Sequence, residues 1–578
     1  MKKKLFALFL GLCMTLGLFS GCGGTAAAAQ STPDSTPAET AETAAPAEAP
    51  NQAASAPAQE ADSAEPAGPA DSAQETENAL PGPSEISYPV AEGDTYTISV
   101  VADGNLLDSI PDSDPANCYG IAQMCEATGI NLDYTVFAML SDNMTLMISS
   151  GDWTDIICKI DENYSAGIQG ALDEEVIMDL APYIDEYAPN YAAYIHSNPL
   201  YEKLTYTDAG QMGAFYNFQQ PNVAGWAIRK DWLDEVGIGS VPETYDELEE
   251  ACLAILDKHP MDAAIPMAPS FIAQGYESEI MFGYGLDTIN NEFFRGEDGK
   301  ITYAWTTDNA RSYIEMVARW AQEGIFNVDQ MLTGDLATFG NNIYVGTAVA
   351  KHNGVEMFGN DQLALADDPN FEIVPMNEPT VNKGDTLRFG GSEMRVSVAW
   401  SLTTTCPNPE QLIQAINWIY TDVGTIAMNF GREGDSYTID ENGNYHFTDL
   451  VLNNPDGIPM FLAASIATGL EAPKIEMPEL VDAKLSNQLQ LDAKAFYESQ
   501  DRSTDGVRRG TLTSEETAIV GRYADIETVV QEQMMAFATG ASPINDETWG
   551  AFCDQVNAMG INEIVAAYQA AQDRYDAK

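Results

Sequence analysis

The composition of residues 23–80 constrains the fold more than any other feature of this 578-residue chain. The segment holds 20 Ala, 7 Pro and 10 acidic residues, and it has no Lys, Arg or aromatic residue. Such a segment cannot bury enough apolar surface to offset the conformational entropy that folding removes. We therefore expect residues 22–87 to form a disordered tether and the folded domain to span residues 88–578.

The charge of the chain excludes one class of partner. With 26 basic and 88 acidic residues, the formal net charge is −62. Binding to nucleic acid requires clustered Lys and Arg that neutralise phosphates, yet no basic residue occurs between Phe6 and Cys158. We expect no nucleic-acid partner, and we interpret the acidity as a means of keeping the protein soluble.

The first 22 residues predict export and a lipid anchor. Lys2, Lys3 and Lys4 precede the apolar stretch Leu5–Phe19, which is typical of a signal peptide and too short to span a membrane. The sequence Leu-Phe-Ser-Gly-Cys that ends at Cys22 resembles a bacterial lipobox. We therefore expect a signal peptide at residues 1–21 and an acylated Cys22 that anchors the protein to the extracellular face of the cell membrane. The alternative is an ordinary secretory signal with an incidental cysteine.

Cysteine and histidine residues indicate neither a disulfide framework nor a metal site. Six cysteines follow Cys22, and an even number outside the cell permits disulfides. However, Cys118 and Cys125 lie in one predicted helix, and Cys158 and Cys252 lie in apolar contexts, which favours buried free thiols. The four histidines show no ligand spacing with these cysteines. We predict no cofactor and no bound metal.

The apolar pattern after the tether predicts alternating strands and helices. Strands are expected at Tyr96–Ala102, Ile130–Phe137 and Ile156–Cys158, and a helix is expected at Cys118–Thr128. A second helix, between the last two strands, carries Met144 and Ile148 on one face. This order is typical of an α/β fold.

The same reasoning applies to later segments. A strand at Trp226 runs into a helix that ends at Gly237, and Thr244 with Glu247 forms a capping box for the next helix. Two helices are expected at the end of the chain, Glu547–Met559 and Asn562–Arg574. The segment Asp440–Tyr445 is predicted to be a hairpin turn, because its glycine falls at the wrong position for a calcium loop.

Several short motifs resemble one known family. The segment Trp226–Gly237, followed by Pro-Glu-Thr-Tyr-Asp-Glu from Pro242, is similar to the extracellular solute-binding proteins of ABC transporters. The resemblance is to the family 1-like lipoproteins of the oligosaccharide-binding subgroup. It extends over nearly all of the folded region, through the segments Ser150–Ile157, Tyr183–Tyr191, Asp298–Tyr303, Glu323–Phe326, Asn408–Glu410, Gly431–Tyr437 and Asp573–Tyr575.

This resemblance implies an α/β, two-lobed periplasmic-binding-protein-like fold with a hinge and an interlobe ligand cleft. Lobe 1 is expected at about 88–206 plus 302–352, lobe 2 at about 207–301 plus 353–545, and C-terminal helices at 546–578. The implied function is the capture of an oligosaccharide and its delivery to the permease subunits of an ABC importer, by a monomer. Many members carry a calcium loop where this chain has 257–266, but that segment lacks alternating oxygen ligands, so we predict no calcium there.

A sugar site needs flat aromatic surfaces and hydrogen-bonding groups. The candidate ligand-binding residues are Trp153, Asp155, Tyr216, Trp226, Tyr284, Arg395, Trp400, Arg432 and Glu433. One arrangement would place Trp153 and Trp400 on facing walls of the cleft. Each candidate also has a structural interpretation: the aromatic residues could be core, Asp155 could cap neighbouring backbone, and Arg432 with Glu433 could form an ion pair that braces a turn.

Enzyme motifs are missing from the sequence. It contains no G-x-S-x-G elbow, no P-loop and no H-E-x-x-H. We therefore predict a binding protein rather than an enzyme. The alternatives are a binding protein for a peptide or another small polar solute, and a surface glycan hydrolase.

Overall fold

The short apolar strand predicted at 156–158 lies inside a five-stranded sheet. In the computed structural model, the described residues are 86–578 except 103, 140–141, 222, 266–277, 287–291, 328–342, 344–345, 356–357, 359–367, 390–393, 456–457, 459, 486, 501, 505 and 507–508. The expected signal peptide, Cys22 and nearly all of the tether lie outside these residues.

The first sheet has the strand order β2-β1-β3-β10-β4. Its strands are β1 (Asp94–Ala102), β2 (Ile130–Ala138), β3 (Ile156–Cys158), β4 (Phe215–Gln219) and β10 (Arg395–Leu402). β1 pairs in parallel with β2 and β3, while β10 pairs antiparallel with β3 and β4. The carboxyl ends of β1, β2, β3 and β4 therefore lie at one edge, together with the beginning of β10. The three strands predicted in this region are confirmed.

The first lobe consists of this sheet and the elements packed on it. Its helices are α1 (Gly104–Ser109), α2 (Tyr119–Thr128), α3 (Asn143–Ser150), α4 (Ile160–Asn163), α5 (Gly167–Asp173), α6 (Ile184–Tyr187), α7 (Pro189–His196), α8 (Pro199–Thr205), α12 (Pro409–Asn417), α13 (Asp422–Phe430), α14 (Asp449–Leu452), α15 (Met460–Thr468) and α16 (Glu479–Ala483). The hairpin of β11 (Tyr437–Ile439) and β12 (Tyr445–Phe447) confirms the turn predicted at Asp440–Tyr445.

The second lobe is built on a three-stranded sheet of order β8-β5-β9. Its strands are β5 (Ala224–Arg229), β8 (Ala350–Gly354) and β9 (Ile373–Met376), beside the separate hairpin of β6 (Phe293–Arg295) and β7 (Ile301–Tyr303). Its helices are α9 (Lys230–Glu235), α10 (Tyr245–Lys258), α11 (Asp308–Glu323), α17 (Gln488–Glu498), α18 (Ser514–Val520), α19 (Tyr523–Ala538), α20 (Asp546–Ala558) and α21 (Ile561–Ala577). Among the described residues, no helix combines the length and apolarity that a membrane span requires.

Each lobe has its own hydrophobic core, and the cores divide the chain differently from the expected lobe bounds. β4 and β10 were expected in lobe 2, but Phe215, Phe218 and Trp400 pack in the first core. α11 was expected in lobe 1, but its apolar face packs in the second core through residues such as Trp320. The reason is physical: apolar periodicity predicts an element but does not show which sheet it joins.

The lobes are connected by crossing segments that lie side by side. Within the described residues the chain passes from the first lobe to the second between β4 and β5, returns between Phe389 and β10, and passes to the second lobe again between α16 and α17. The first passage is bonded to the segment before α16, because the backbone N–H of Gln220 donates to Glu476 Oε2 at 2.9 Å and its side-chain amide donates to the Glu476 carbonyl at 2.8 Å. The hinge that the sequence resemblance predicts would lie in these segments.

The C-terminal helix also contacts the first lobe. Arg574 on α21 pairs with Asp208, and Lys578 Nζ lies 2.8 Å from the same carboxylate. Arg574 binds Glu516 on α18 as well, with Nη2 and Oε2 2.5 Å apart. The end of the chain is therefore held against both lobes.

The cysteines are reduced. All six cysteines in the described region are free, and four of them, Cys118, Cys158, Cys252 and Cys406, are buried. The expectation of free thiols is confirmed, although Cys125 and Cys553 are only partly buried.

The segment after α10, where a calcium loop was considered, is held by side-chain contacts. The rings of His259 and Trp232 stack with centroids 4.6 Å apart, and His259 Nε2 lies 2.7 Å from Glu235 Oε2. Lys258 donates to the Glu235 carbonyl oxygen at 2.5 Å. The absence of calcium here stays a prediction.

A buried carboxyl group lies in the second lobe. Glu292 is 2% exposed, and the hydroxyl of Tyr523 donates a hydrogen bond to its Oε2 atom. Burial raises the pKa of Glu292 to about 8, because the charged form loses its hydration. The fold therefore accommodates the neutral acid better than the carboxylate.

Replacing Glu292 should reduce the pH dependence of stability. Because its pKa is higher in the folded than in the unfolded state, its stabilising effect is complete below about pH 4.3 and is lost as the pH rises through about 8. In Glu292→Gln the free energy of urea unfolding should therefore fall less between pH 5 and pH 9, by on the order of 4 kcal/mol. Glu297→Gln, in the exposed turn after β6, is the control. A variant Glu292→Gln with the wild-type pH profile would contradict the assignment.

Candidate functional site

The carboxyl edge of the first sheet contains a cavity. Ligands of α/β proteins bind at the carboxyl ends of parallel strands, and here a cavity of about 160 Å³ lies at the ends of β1, β2 and β3. Its lining combines apolar and polar side chains, which are Val100, Val101, Met139, Cys158, Lys159, Glu162, Asn163 and Glu471. This composition suits a ligand that has both apolar and hydrogen-bonding faces.

An ion pair forms part of the cavity lining. Lys159 Nζ lies 3.0 Å from Glu471 Oε2, and each side chain is 33% exposed. Lys159 follows β3 directly, and its backbone N–H donates to the Ala399 carbonyl of β10 at 3.0 Å. Burial lowers the pKa of Lys159, but the charge of Glu471 and the hydrogen bond to it more than offset this, so the pKa lies above its usual value. Lys159 is therefore positively charged at neutral pH.

Both partners of this pair have an unusual backbone conformation. Lys159 has φ 48° and Glu471 has φ 50°. Left-handed backbone is uncommon in residues other than glycine and costs roughly 1–3 kcal/mol. The surrounding structure thus holds both side chains at the cavity against a local preference.

A carboxyl group with a raised pKa lies beside the cavity. Asp161 is in the first turn of α4. Burial raises its pKa to about 6, and the negative charge of Glu162 contributes to the increase. Burial raises the pKa of the Tyr216 hydroxyl on β4, and the nearby negative charge of Asp161 raises this pKa further. This wall of the lobe therefore has a negative local potential.

A second group of side chains lies at the end of α13. Gly431 must be glycine, since it has φ 85° and a Cβ atom would lie 2.5 Å from the Ala467 carbonyl oxygen. This conformation directs the chain so that the guanidinium of Arg432 lies 5.5 Å from the centre of the Tyr119 ring. Gln123 on α2 fixes the turn by donating to the Gly431 carbonyl at 2.8 Å.

The expected ion pair in this turn does not form. Arg432 and Glu433 are both exposed, and among the described residues neither has an ion-pair partner. The alternative that Arg432 and Glu433 form an ion pair that braces this turn is therefore wrong. The guanidinium is left available for a ligand.

Arg395 also lies at the carboxyl edge of the first sheet. It begins β10, opposite Gln219 at the end of β4, and its Nη2 donates to Gln219 Oε1 at 3.4 Å. Its side chain is exposed, and no carboxylate pairs with it within the described part of the chain. Arg395 and Arg432 remain candidates for ligand contact.

Burial corrects the prediction for two tryptophans. Trp226 and Trp400 are both fully buried, in the second and first core respectively. Trp400 lies opposite Cys158 in the pairing of β10 with β3, behind the cavity wall. Trp153 is partly buried against the same first core, and its indole N–H donates to the Ile148 carbonyl at 2.8 Å. Trp153 and Trp400 therefore belong to one lobe and do not face each other across a cleft.

The two tyrosine candidates also have packing roles. Tyr216 is 6% exposed, and its backbone N–H donates to the Tyr191 hydroxyl at 3.3 Å. Tyr284, in the second lobe, is partly buried with its ring 4.6 Å from that of Tyr245. None of the five aromatic candidates lines the cavity, although Trp400 pairs with the lining residue Cys158.

Asp155 lies at the opposite edge of the sheet. It precedes β3, at the amino end of that strand, and its Oδ2 accepts hydrogen bonds from the backbone N–H and the hydroxyl of Thr97 at 2.8 and 2.9 Å. The capping interpretation is confirmed. Asp155 is not among the residues that line the cavity, which lies at the carboxyl end of β3, so its contact with a ligand stays a prediction.

Five residues at the site were not predicted: Lys159, Glu162, Asn163, Glu471 and Tyr119. The first three follow β3. The rule that ligands bind at one end of parallel strands was used to select Asp155, and it would have selected these three residues if it had been applied to the carboxyl end of β3. Glu471 had no sequence signal, because only the fold brings the segment after α15 to β3.

Because its side chain is fully buried, Trp400 should contribute to the stability of the folded protein. Trp400→Ala removes a fully buried side chain, and we expect unfolding to become about 3–5 kcal/mol more favourable. Denaturant unfolding followed by circular dichroism measures this change. Trp153→Ala, at a partly buried position, is the comparison and should cost less. An unchanged unfolding free energy for Trp400→Ala would contradict the core assignment.

Solved structures show the same fold. The alginate-binding protein AlgQ2, solved without calcium ion, has a TM-score of 0.68 and 20% identity, with 84% of this chain and 98% of that chain covered. The Streptococcus pneumoniae ABC-transporter substrate-binding protein FusA, in complex with kestose, has a TM-score of 0.67 and 17% identity, with 84% and 100% covered. An HMO-binding, ABC-transporter-associated solute-binding protein from Bifidobacterium longum infantis has a TM-score of 0.65 and 17% identity, with 84% and 99% covered.

Sequence comparison adds no further assignment. No family model matches the chain, and no curated protein matches it significantly. The structural similarity spans almost the whole length of the solved relatives. The chain therefore has the two-lobed α/β fold of the solute-binding proteins of ABC transporters, as its sequence motifs predicted.

Proposed function

We propose that this protein captures an oligosaccharide outside the cell and delivers it to the permease subunits of an ABC importer. The observation that carries the proposal is the cavity at the carboxyl edge of the first sheet, with its apolar and charged lining. A sugar ring has C–H faces that pack on apolar atoms and hydroxyls that bond with charged groups. The cavity offers both.

The exposed arginines support the same ligand class. Arg432 lies over Tyr119 at the edge that contains the cavity, and Arg395 is exposed at the same edge. A guanidinium has five N–H donors in a fixed plane, which suits several hydroxyl groups at once. These two residues would bind sugar units beyond the one in the cavity.

The solved relatives support the ligand class and the transport role. FusA was solved with kestose, AlgQ2 is named as alginate-binding, and the Bifidobacterium protein is named as HMO-binding and ABC-transporter-associated. These relatives are binding proteins, and we propose that this chain likewise binds its ligand without converting it.

The hinge explains how binding could signal to a permease. A ligand shifts the lobes toward closure only if it binds the closed form more tightly. A sugar held by the first lobe gains contacts with the second lobe only on closure. The connecting segments on either side of the bonded pair Gln220 and Glu476 would bend together during that motion.

Arg432→Ala should weaken oligosaccharide binding. Wild-type protein is first titrated calorimetrically with neutral and acidic oligosaccharides, and a ligand that binds is then used for the variants. Losing a hydrogen bond to a charged group should reduce the affinity about tenfold or more. The melting temperature should not change, because Arg432 is exposed and has no ion pair among the described residues. Arg522→Ala, at an exposed ion pair with Glu563 in the second lobe, is the control.

Small-angle scattering with and without the same ligand completes this test. A smaller radius of gyration with ligand is the expected result. Wild-type protein that binds no oligosaccharide would contradict the proposed function, whereas binding without compaction would contradict only the closure step.

We also propose that Cys22 carries the lipid anchor. Acyl chains supply most of the membrane affinity of such a protein, at roughly 0.8 kcal/mol per buried CH₂. Cys22→Ser should therefore release the protein into the medium or leave its signal peptide uncleaved, as shown by fractionation and mass spectrometry. Cys13→Ser, within the apolar stretch, is the control. Correctly processed Cys22→Ser protein in the membrane fraction would contradict the anchor.

A further inference from the structure

We propose that Lys159 and Glu471 together bind two adjacent hydroxyl groups of one neutral sugar ring, and that the carboxylates of the cavity exclude sugars that carry a carboxylate. This inference rests on the proposed function and names the class of sugar that the cavity accepts. It also assigns ligand contact to two residues that the sequence did not indicate.

The geometry of the pair leaves hydrogen-bonding capacity for a ligand. The ammonium of Lys159 has three N–H donors and the carboxylate of Glu471 has several acceptor positions, so one contact of 3.0 Å uses only part of each. A hydroxyl group can accept from Nζ while its neighbour on the ring donates to Oε2. Both side chains are a third exposed, and both line the cavity.

The backbone conformation indicates that these positions are specific. Lys159 and Glu471 come from separate parts of the chain, one after β3 and the other after α15, yet both are left-handed. A surface ion pair contributes little to stability, so it does not explain two unfavourable conformations. Strained backbone is concentrated at functional sites, and ligand contact by the pair explains both observations.

The charges lining the cavity determine which sugars fit. Glu162 and Glu471 line it together with a single ammonium, that of Lys159. A ligand carboxylate would have to share this ammonium with Glu471 while lying near Glu162, and like charges repel strongly where solvent is limited. Arg395 and Arg432 lie elsewhere on the same edge and do not line the cavity. A neutral ring meets no such repulsion.

The apolar lining of the cavity suits the C–H face of a ring. Val100, Val101, Cys158 and Met139 contribute to this lining, and the Met139 side chain is 57% exposed. Burial raises the pKa of the Cys158 thiol, so that this residue is neutral and apolar. A methionine adapts its shape readily to a packed ligand. Apolar contact and hydroxyl recognition therefore meet in one cavity.

The test compares two variants of the pair with a matched control. Wild type, Glu471→Gln, Lys159→Met and Lys230→Met are titrated calorimetrically with 1-kestose, maltotriose, cellotriose, mannotriose, trigalacturonate and trimannuronate. Lys230 forms an ion pair with Asp234 on α9, at the end of β5 that lies away from the crossing segment. Circular dichroism confirms that each variant is folded, and either variant of the pair alone is sufficient if the other fails to fold.

The expected result is that at least one neutral trisaccharide binds and that both acidic trisaccharides bind at least tenfold more weakly. Glu471→Gln or Lys159→Met should lower the affinity for the neutral ligand by tenfold or more, the effect of a lost hydrogen bond to a charged group, while Lys230→Met has no effect. A loss below tenfold in both variants, or acidic ligands that bind within tenfold of the neutral one, would overturn this inference and leave the proposed function standing. Wild type that binds none of the six would count against both.

Discussion

The parallel pairing of β1 with β2 and β3 determines where the cavity of the first lobe lies. The register joins Ile98 to Tyr134 on one side and to Ile156 on the other. Parallel strands bring their carboxyl ends to one edge, where the backbone turns away and side chains from different segments meet. Lys159, Arg395 and the cavity lie at this edge for that reason. The opposite edge holds structural contacts such as that between Asp155 and Thr97.

The second constraint is the close packing of the chain where it enters the second lobe. A Cβ atom on Gly225 would lie 2.1 Å from the ring of Tyr497, whose hydroxyl donates to the Trp226 carbonyl at 2.7 Å. The first residues of β5 are thus fixed against α17. Gln220, before β5, is bonded to Glu476, and the predicted hinge would lie beside this contact.

Sequence reasoning succeeded where the relevant information is local. The strands β1, β2 and β3 follow from runs of apolar residues, and the turn at Asp440 follows from the position of its glycine. It failed for Trp226 and Trp400, because an aromatic residue on a strand has the same pattern whether that strand ends in a core or at a cleft. It also failed for Glu471, since no local pattern shows that the segment after α15 meets the end of β3. Site residues brought together by topology require the structure.

The net charge of the chain acts on a ligand at long range, whereas individual side chains act on it only at contact distance. The chain has a net charge of −62, and three of its 26 basic residues lie in the first four positions. Such a field repels polyanions at a distance but has little effect on a neutral sugar. If the ligand is a neutral sugar, as we propose, its recognition depends on contacts made after it enters the cleft, and closure of the lobes would add to those contacts. Basic residues at the carboxyl edge of the first sheet, such as Lys159, Arg395 and Arg432, would then act as hydrogen-bond donors rather than as sources of attraction at long range.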